Sequence, residues 1–202
     1  MVLVINVIVK TNQINNNLTE QINQIYLEKI IKPSKEKKLL IDFLEFKRGI
    51  EPGSDAYEFD KTESNIEFFR VQDIESIHSN VFIDKNAAKN KIATIDDILV
   101  SFDGSVGKIG FGFCGAYSSG MQIIKSKKGF IDNGFIFAIF NSTEIQNDLS
   151  KSVGTTIAHA GKYIKNLSIP YDESNIKSAN SIINPLYLTI LNNKLEIDKL
   201  KS

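Results

Sequence analysis

The run Ser101-Phe102-Asp103-Gly104-Ser105-Val106-Gly107-Lys108 sets two hydroxyls, a carboxylate and an amine within a single turn. Residue types in that order suit an anion. Glycines let the main chain approach a partner closely, exposed backbone N–H groups attract phosphate, and the lysine adds charge. A β-hairpin with a bulge is written with the same residues, and both readings stay open. Two nucleotide sites are excluded. Ile109 stands where a P-loop needs Ser or Thr, and the glycines do not open a helix inside a βαβ unit. A second group follows Phe68-Phe69. If the strand continues, Arg70 and Gln72 point to one face, and they are the side chains matched to guanine and adenine edges in the major groove. Tyr117, Ser118 and Thr155 add hydroxyls suited to phosphates, and Lys162 adds charge.

No catalytic set is complete. His78 and His159 stand apart, with no Cys or His at finger spacing, so no metal is expected. Asp97, Asp103 and Lys108 are the residues a DNA-modifying or DNA-cleaving fragment would use, yet no Glu-x-Lys follows Asp96-Asp97. Ser118-Ser119 has no His–Asp partners that the sequence identifies. No Asn- or Asp-Pro-Pro-aromatic tetrapeptide occurs, so methyl transfer by the chain itself, and any cofactor, are not expected.

These residues need a scaffold. The chain has 202 residues and is 42% hydrophobic, which suits one domain with an appendage or two small domains. Its 24 basic and 24 acidic residues cancel, unlike a free-standing nucleic-acid clamp. Between residues 101 and 171, however, seven lysines face four acids, a local +3. The single cysteine, Cys114, is expected in the core, and the chain is expected to be intracellular and cytoplasmic. No stretch is long enough to span a bilayer.

Residues 1–9 are rich in β-branched residues and predict a strand or buried leader. Asn17-Leu18-Thr19-Glu20 has the form of a capping box, so a helix is expected there, with Leu18, Ile22, Ile25, Tyr26 and Ile30 on one face and Pro33 as its end. From 39 to 172 short apolar runs alternate with turn residues, including 39–46, 67–71, 98–100, 109–113, 121–124 and 135–140. This predicts mostly strands with short helices, one of them over 144–151 behind Ser142 or Thr143 and broken at Gly154. Asn184-Pro185 reads as a helix start. Ile183, Leu186, Ile190, Asn193, Ile197 and Leu200 then form a heptad seam with one polar residue, suited to a coiled coil. Asn15-Asn16-Asn17-Leu18 is echoed by Asn192-Asn193-Lys194-Leu195. The expected class is α/β (α+β): a spacer over 1–34, a β-rich domain over 35–172 and a coiled-coil helix over 173–202. Such end helices suit pairing with a second copy.

The order of these motifs resembles the target-recognition domains of type I restriction–modification specificity subunits. Residues 66–74 (Ile-Glu-Phe-Phe-Arg-Val-Gln-Asp-Ile) resemble the family's aromatic-hydrophobic-Arg-x-x-Asp-Ile segment. Residues 97–112 resemble its Asp-Ile-Leu-hydrophobic-Ser-x-x-Gly-Ser-hydrophobic-Gly-Lys block. Residues 117–123 are similar to the small-x-hydroxyl-x-Gly segment, and 154–170 to the closing Gly-Thr block that ends in proline. Residues 39–52, with Gly49, fit the opening segment. The resemblance implies a non-catalytic subunit that holds half of a split double-stranded DNA target. Modification (methyltransferase) subunits, and in some assemblies a restriction subunit, would dock on its helices. Arg70 and Gln72 would read bases, while Ser105, Lys108, Tyr117, Ser118, Thr155 and Lys162 would hold phosphates. Family members carry two recognition domains. One domain here implies a half-subunit, completed by a homodimer through Leu18, Ile22, Ile25 and Tyr26 with the seam of the last helix. A plain oligomerisation module, with a purely structural glycine loop, is a further alternative.

Overall fold

The computed structural model describes residues 2–33, 35–153 and 164–201. In chain order its elements are α1 (Val2–Tyr26), β1 (Lys37–Leu39), α2 (Leu40–Phe43), β2 (Leu44–Arg48), β3 (Asn65–Phe69), β4 (Phe82–Asp84), β5 (Ile92–Ala93), β6 (Ile98–Ser101), β7 (Ile109–Gly110), β8 (Gly115–Tyr117), β9 (Met121–Ser126), α3 (Asn133–Asn141), α4 (Thr143–Val153), β10 (Ser168–Pro170) and α5 (Glu173–Lys201).

α1 overturns the expected strand over residues 1–9. Val4, Ile8, Thr11, Asn15 and Leu18 are its less exposed positions, leading to buried Ile22 and Tyr26. Their spacing of three and four is helical, and a partner along that whole face overrides β-propensity. The expected cap at Asn17 therefore lies in mid-helix. A π turn, Leu27–Ile31, ends the helix before Pro33.

The partner is α5 of the same chain. Asn193 Nδ2 donates to Asn15 Oδ1 at 2.7 Å, and Lys29 Nζ donates to Ser178 Oγ at 3.2 Å. Higher numbers on one helix meet lower numbers on the other, so the pair is antiparallel. Ile22, Tyr26, Ile183, Ile190 and Ile197 are buried in it, Leu18, Ile25 and Leu186 pack against the same core, and Leu200 is exposed. Each fully buried side chain of this size contributes about 1.5–3 kcal/mol. The heptad seam is thus filled inside one copy, which corrects the expectation that it pairs with a second.

α5 also begins earlier than Asn184. Asp172 caps it, its Oδ1 accepting the Asn175 N–H at 2.8 Å, and the helix runs on through Pro185. Interior proline costs about 3 kcal/mol, and packing on both sides of α5 offsets it. Asn184 is spent elsewhere: its Oδ1 accepts the Gly134 N–H at 3.1 Å. One turn earlier, Asn180 Oδ1 accepts the Asp132 N–H and its Nδ2 donates to Asp132 Oδ2 at 2.7 Å. Two side chains of α5 therefore satisfy the orphan amides at the start of α3. Gly134 is required there, because a Cβ would sit 2.6 Å from Asn184 Cα. Residues 135–140, expected as a strand, are this helix. All are buried, and an all-apolar run has no period that tells strand from helix. α4 starts where expected, with Ser142 Oγ accepting the Ile145 N–H.

The domain holds two four-stranded sheets, in the orders β2-β9-β6-β7 and β4-β3-β8-β5. All neighbours are antiparallel except β3 and β8. The first sheet turns one face to α1, α3 and α5. Its other face, through Leu99, Met121 and Ile123, meets Phe69, Phe113 and Tyr117 of the second sheet region. β1 pairs with β10, with Lys38 opposite Ile169, so the chain enters and leaves the domain at one neck. Cys114 is exposed, contrary to the expected core position. Its neighbours Phe113 and Gly115 are buried.

Candidate functional site

The glycine run ends β6 and leads to β7, and it is wound around Ser101. The buried Ser101 hydroxyl donates to Ser105 O and accepts the Lys108 N–H at 3.0 Å, while Ser101 O accepts the Gly107 N–H at 2.8 Å. The Val106 N–H goes to Gly104 O. Three amides of the turn, those of Val106, Gly107 and Lys108, are thus used inside it. Gly107 has φ +86°, and its carbonyl accepts Gln146 Nε2 of α4 at 2.8 Å. Lys108 Nζ pairs with Glu75 at 2.7 Å. The loop is a braced hairpin, one of the two readings that its sequence left open.

Arg70 and Gln72 do not share a strand face. β3 ends at Phe69, and Val71–Asp73 form a 3-10 turn. Asp73 causes the break, since its carboxylate accepts the Arg70 N–H at 3.1 Å and the Arg70 Nε–H at 2.9 Å. Arg70 is therefore held down as a brace. Gln72 is exposed, with no side-chain partner among the described residues.

Tyr117 and Ser118 also serve the scaffold. Tyr117 is buried, its hydroxyl donates to Lys47 O at 3.1 Å, and burial with the nearby Asp97 charge pushes its pKa up to about 12. Ser118 is buried on a bridge to Ile50, and its N–H donates to Phe69 O. Neither hydroxyl is presented to a phosphate. Thr155 and Lys162, like His159 and the break at Gly154, lie outside the described residues.

Some of the singled-out residues do meet. A Cβ on Gly120 would lie 2.7 Å from Val71 Cγ2 and 3.4 Å from Asp103 Cβ. The turns at 71–73, 102–105 and 118–120 therefore form one rim. Gln72, Asp103 and Ser105 are exposed on it. Arg48 Nε donates to Ser119 O at 2.9 Å, and Ser119 Oγ donates to Glu51, which extends the rim toward β2.

Beyond Arg48 lies a cleft of about 610 Å³ that the sequence did not reveal. Its cations are Lys47, Arg48, Lys89, Lys91 and Lys125, and its carboxylates are Glu45 and Asp97. Lys47 and Lys125 come from one face of adjacent strands, since Glu45 pairs with Lys125 and Lys47 with Ile123 across β2 and β9. Lys89 and Asn90 adopt left-handed backbone at φ 48° and 62° in the turn before β5. No run of basic residues marks this site, because its charges come from three distant segments.

Two residues of the enzymatic alternative are committed elsewhere. Asp97 accepts the Thr94 N–H and hydroxyl and pairs with Lys125 at 3.0 Å. Lys108 is tied to Glu75, and Asp103 lies on the rim. No cluster of three potential metal ligands occurs among the described residues.

A second cleft, about 430 Å³, separates the loop at 75–78 from α1 and α5. His78 spans it, 3.4 Å from Glu67 and 3.0 Å from Asp198. Lys194 donates to Phe111 O at 2.8 Å and sits over the Phe111 ring, and burial lowers its pKa to about 8 against the opposing pull of Glu75 and Asp198.

No family model and no curated protein matches the chain. Solved structures do. The HsdS subunit from Thermoanaerobacter tengcongensis aligns with TM-score 0.60 and 15% identity over 95% of this chain and 49% of its own. The type I restriction-modification system S subunit from M. genitalium aligns with TM-score 0.61 and 13% identity over 98% of this chain and 53% of its own. A structure on complex assembly and conformational transition of the type I R-M system gives TM-score 0.56 and 13% identity, over 98% and 52%. The chain shares their fold and spans about half their length.

Proposed function

We propose that this chain, folded as one half of a type I restriction–modification specificity subunit, selects DNA sequence for a modification complex and performs no chemistry itself. The observation that carries this is the alignment of 95% of the chain onto 49% of an HsdS subunit, a share that takes in most of the stem formed by α1 and α5. The domain holds half of a bipartite duplex target. Gln72 and Ser105, exposed on the rim, contact base edges or the adjoining backbone, while Lys108 and Arg70 are braces that hold the rim in shape. Thr155 and Lys162 remain candidate phosphate contacts.

The stem docks the methyltransferase subunits and a second copy of the chain, and a restriction subunit joins that assembly. Its inner seam is filled, so docking uses its outer faces. Val2, Leu3, Ile5, Val7, Val9 and Ile14 of α1 support this, since all are exposed on one helix. They fall in two stripes, Val2, Ile5 and Val9 on one and Leu3, Val7 and Ile14 on the other, each suited to an apolar partner. No described helix is long and apolar enough to cross a membrane, and a cytoplasmic setting follows from the proposed partners.

Co-expression with the modification subunits, followed by methylation sequencing, tests this. The expected result is a stable complex and a bipartite methylated motif, palindromic if two copies act together. No complex and no motif would overturn it. Replacing Gln72 with Ala is expected to relax one target position at a cost of about 1–3 kcal/mol.

A further inference from the structure

The charges of the cleft beside β2 are disposed for a linear polyanion. The molecule as a whole is neutral, with a pI near 6.7, yet this one concavity gathers five cations against two carboxylates. The carboxylates do not cancel the excess. Asp97 is buried and already shared by Thr94 and Lys125, and Glu45 pairs with Lys47 at 3.3 Å. Lys89 and Lys91 form no ion pair among the described residues, and Lys89 is exposed on its turn. Arg48 gives only its Nε to Ser119 O.

Three cations are thus unneutralised, and they come from the edge strand of one sheet and a turn of the other. Ser119 joins Arg48 to the exposed rim that carries Gln72 and Ser105. We infer that the Lys47, Arg48, Lys89, Lys91 and Lys125 cleft is the track for the sugar–phosphate backbone of a duplex whose base edges face the rim. This rests on the DNA-recognition reading above and adds to it a division of labour. The rim carries sequence preference, and the cleft carries sequence-independent, salt-sensitive affinity.

The test uses the chain in complex with its modification subunits and a fluorescent 30-base-pair duplex, with binding followed by anisotropy across a salt series. Replacing both Lys89, which is exposed, and Lys91, which is half-buried, with Glu is expected to weaken binding about tenfold or more. The slope of log affinity against log salt should become shallower by about 2, near 0.9 per lost phosphate contact. The loss should be equal for cognate and scrambled duplexes. An unchanged slope, or a loss confined to the cognate duplex, would overturn the cleft assignment while leaving DNA recognition intact. A wild-type complex that binds no duplex at all would remove the cleft assignment together with the reading on which it rests. Circular dichroism melting of the double variant separates a misfolded protein from a lost contact. If Lys89→Glu, Lys91→Glu does not fold, the single Lys89→Gln variant, with an expected slope change of about 1, decides the question by the same criteria.

Discussion

Two turns of this chain invite comparison. Residues 101–108 hold two glycines and a lysine, and residues 89–91 hold two lysines around an asparagine. Both use left-handed backbone, at Gly104 and Gly107 in the first and at Lys89 and Asn90 in the second. The first has the letters of a binding loop, yet its amides close on Ser101 and its lysine on Glu75. The second has no recognisable motif, yet its lysines line a basic cleft and form no ion pair among the described residues. Glycine reports what the backbone must do, and whether a ligand is involved depends on where the neighbouring N–H groups are spent.

Damage to the bracing of the first turn, at Ser101 or Gly107, appears as lost stability, and damage to the second turn as lost binding. The largest expected effect is Gly107→Val. Its φ of +86° and a Cβ only 2.8 Å from Gln146 Oε1 combine strain and overpacking, for a loss of about 3 kcal/mol or more in chemical denaturation. Ser101→Ala follows. It leaves the part-buried Lys108 N–H without its hydroxyl acceptor and should cost about 2 kcal/mol, with the salt slope of DNA binding by the folded fraction unchanged. A Ser101→Ala protein of native stability but weakened binding would reverse the assignment. At the small end, Lys89→Glu is expected to shift stability by no more than about 0.5 kcal/mol.

The clasp between the domain and α5 supplies a comparison within one cleft. Burial opposes the charged His78 ring, but the hydrogen bonds and charges of Asp198 and Glu67 raise its pKa above 6.5. Its contribution is fully present below about pH 6.5 and lost as pH rises through the folded value. Lys194 runs the other way. Its pKa is lowered from 10.5 to about 8, so stability is gained as pH rises from about 8 toward 10.5. Thermal melts across pH should therefore fall and then recover. His78→Gln removes the first limb and Lys194→Met the second. Variants that both keep the wild-type fall and recovery would show that neither group governs the profile.

The hairpin of β6 and β7, the cap at Ser142 and the strand β9 were legible in the sequence, because local turn chemistry and alternation decide them. The failures share a cause. α1 was hidden because its β-branched residues suit a strand, and only α5, almost a chain length away, makes them helical. Asn184-Pro185 carries every local mark of a helix start, but Asn184 is used to cap α3. Arg70 and Gln72 looked aligned until Asp73, three residues on, pulled Arg70 out of the strand. At the candidate site the rim was partly legible, since its residues lie in marked turns. The basic cleft was not, since Lys47, Lys89 and Lys125 meet only once two sheets are packed.

The Asn15–Asn193 bond joins residues 178 positions apart. On a ribosome moving at about 5–20 residues per second, α1 waits roughly 10–35 s for the helix that covers it. Throughout that interval Val4, Ile8, Leu18 and Ile22 present a sticky face. The nascent chain is therefore a natural client for a chaperone that binds apolar helices, and slowing translation should lower its soluble yield before it alters any property of the finished protein.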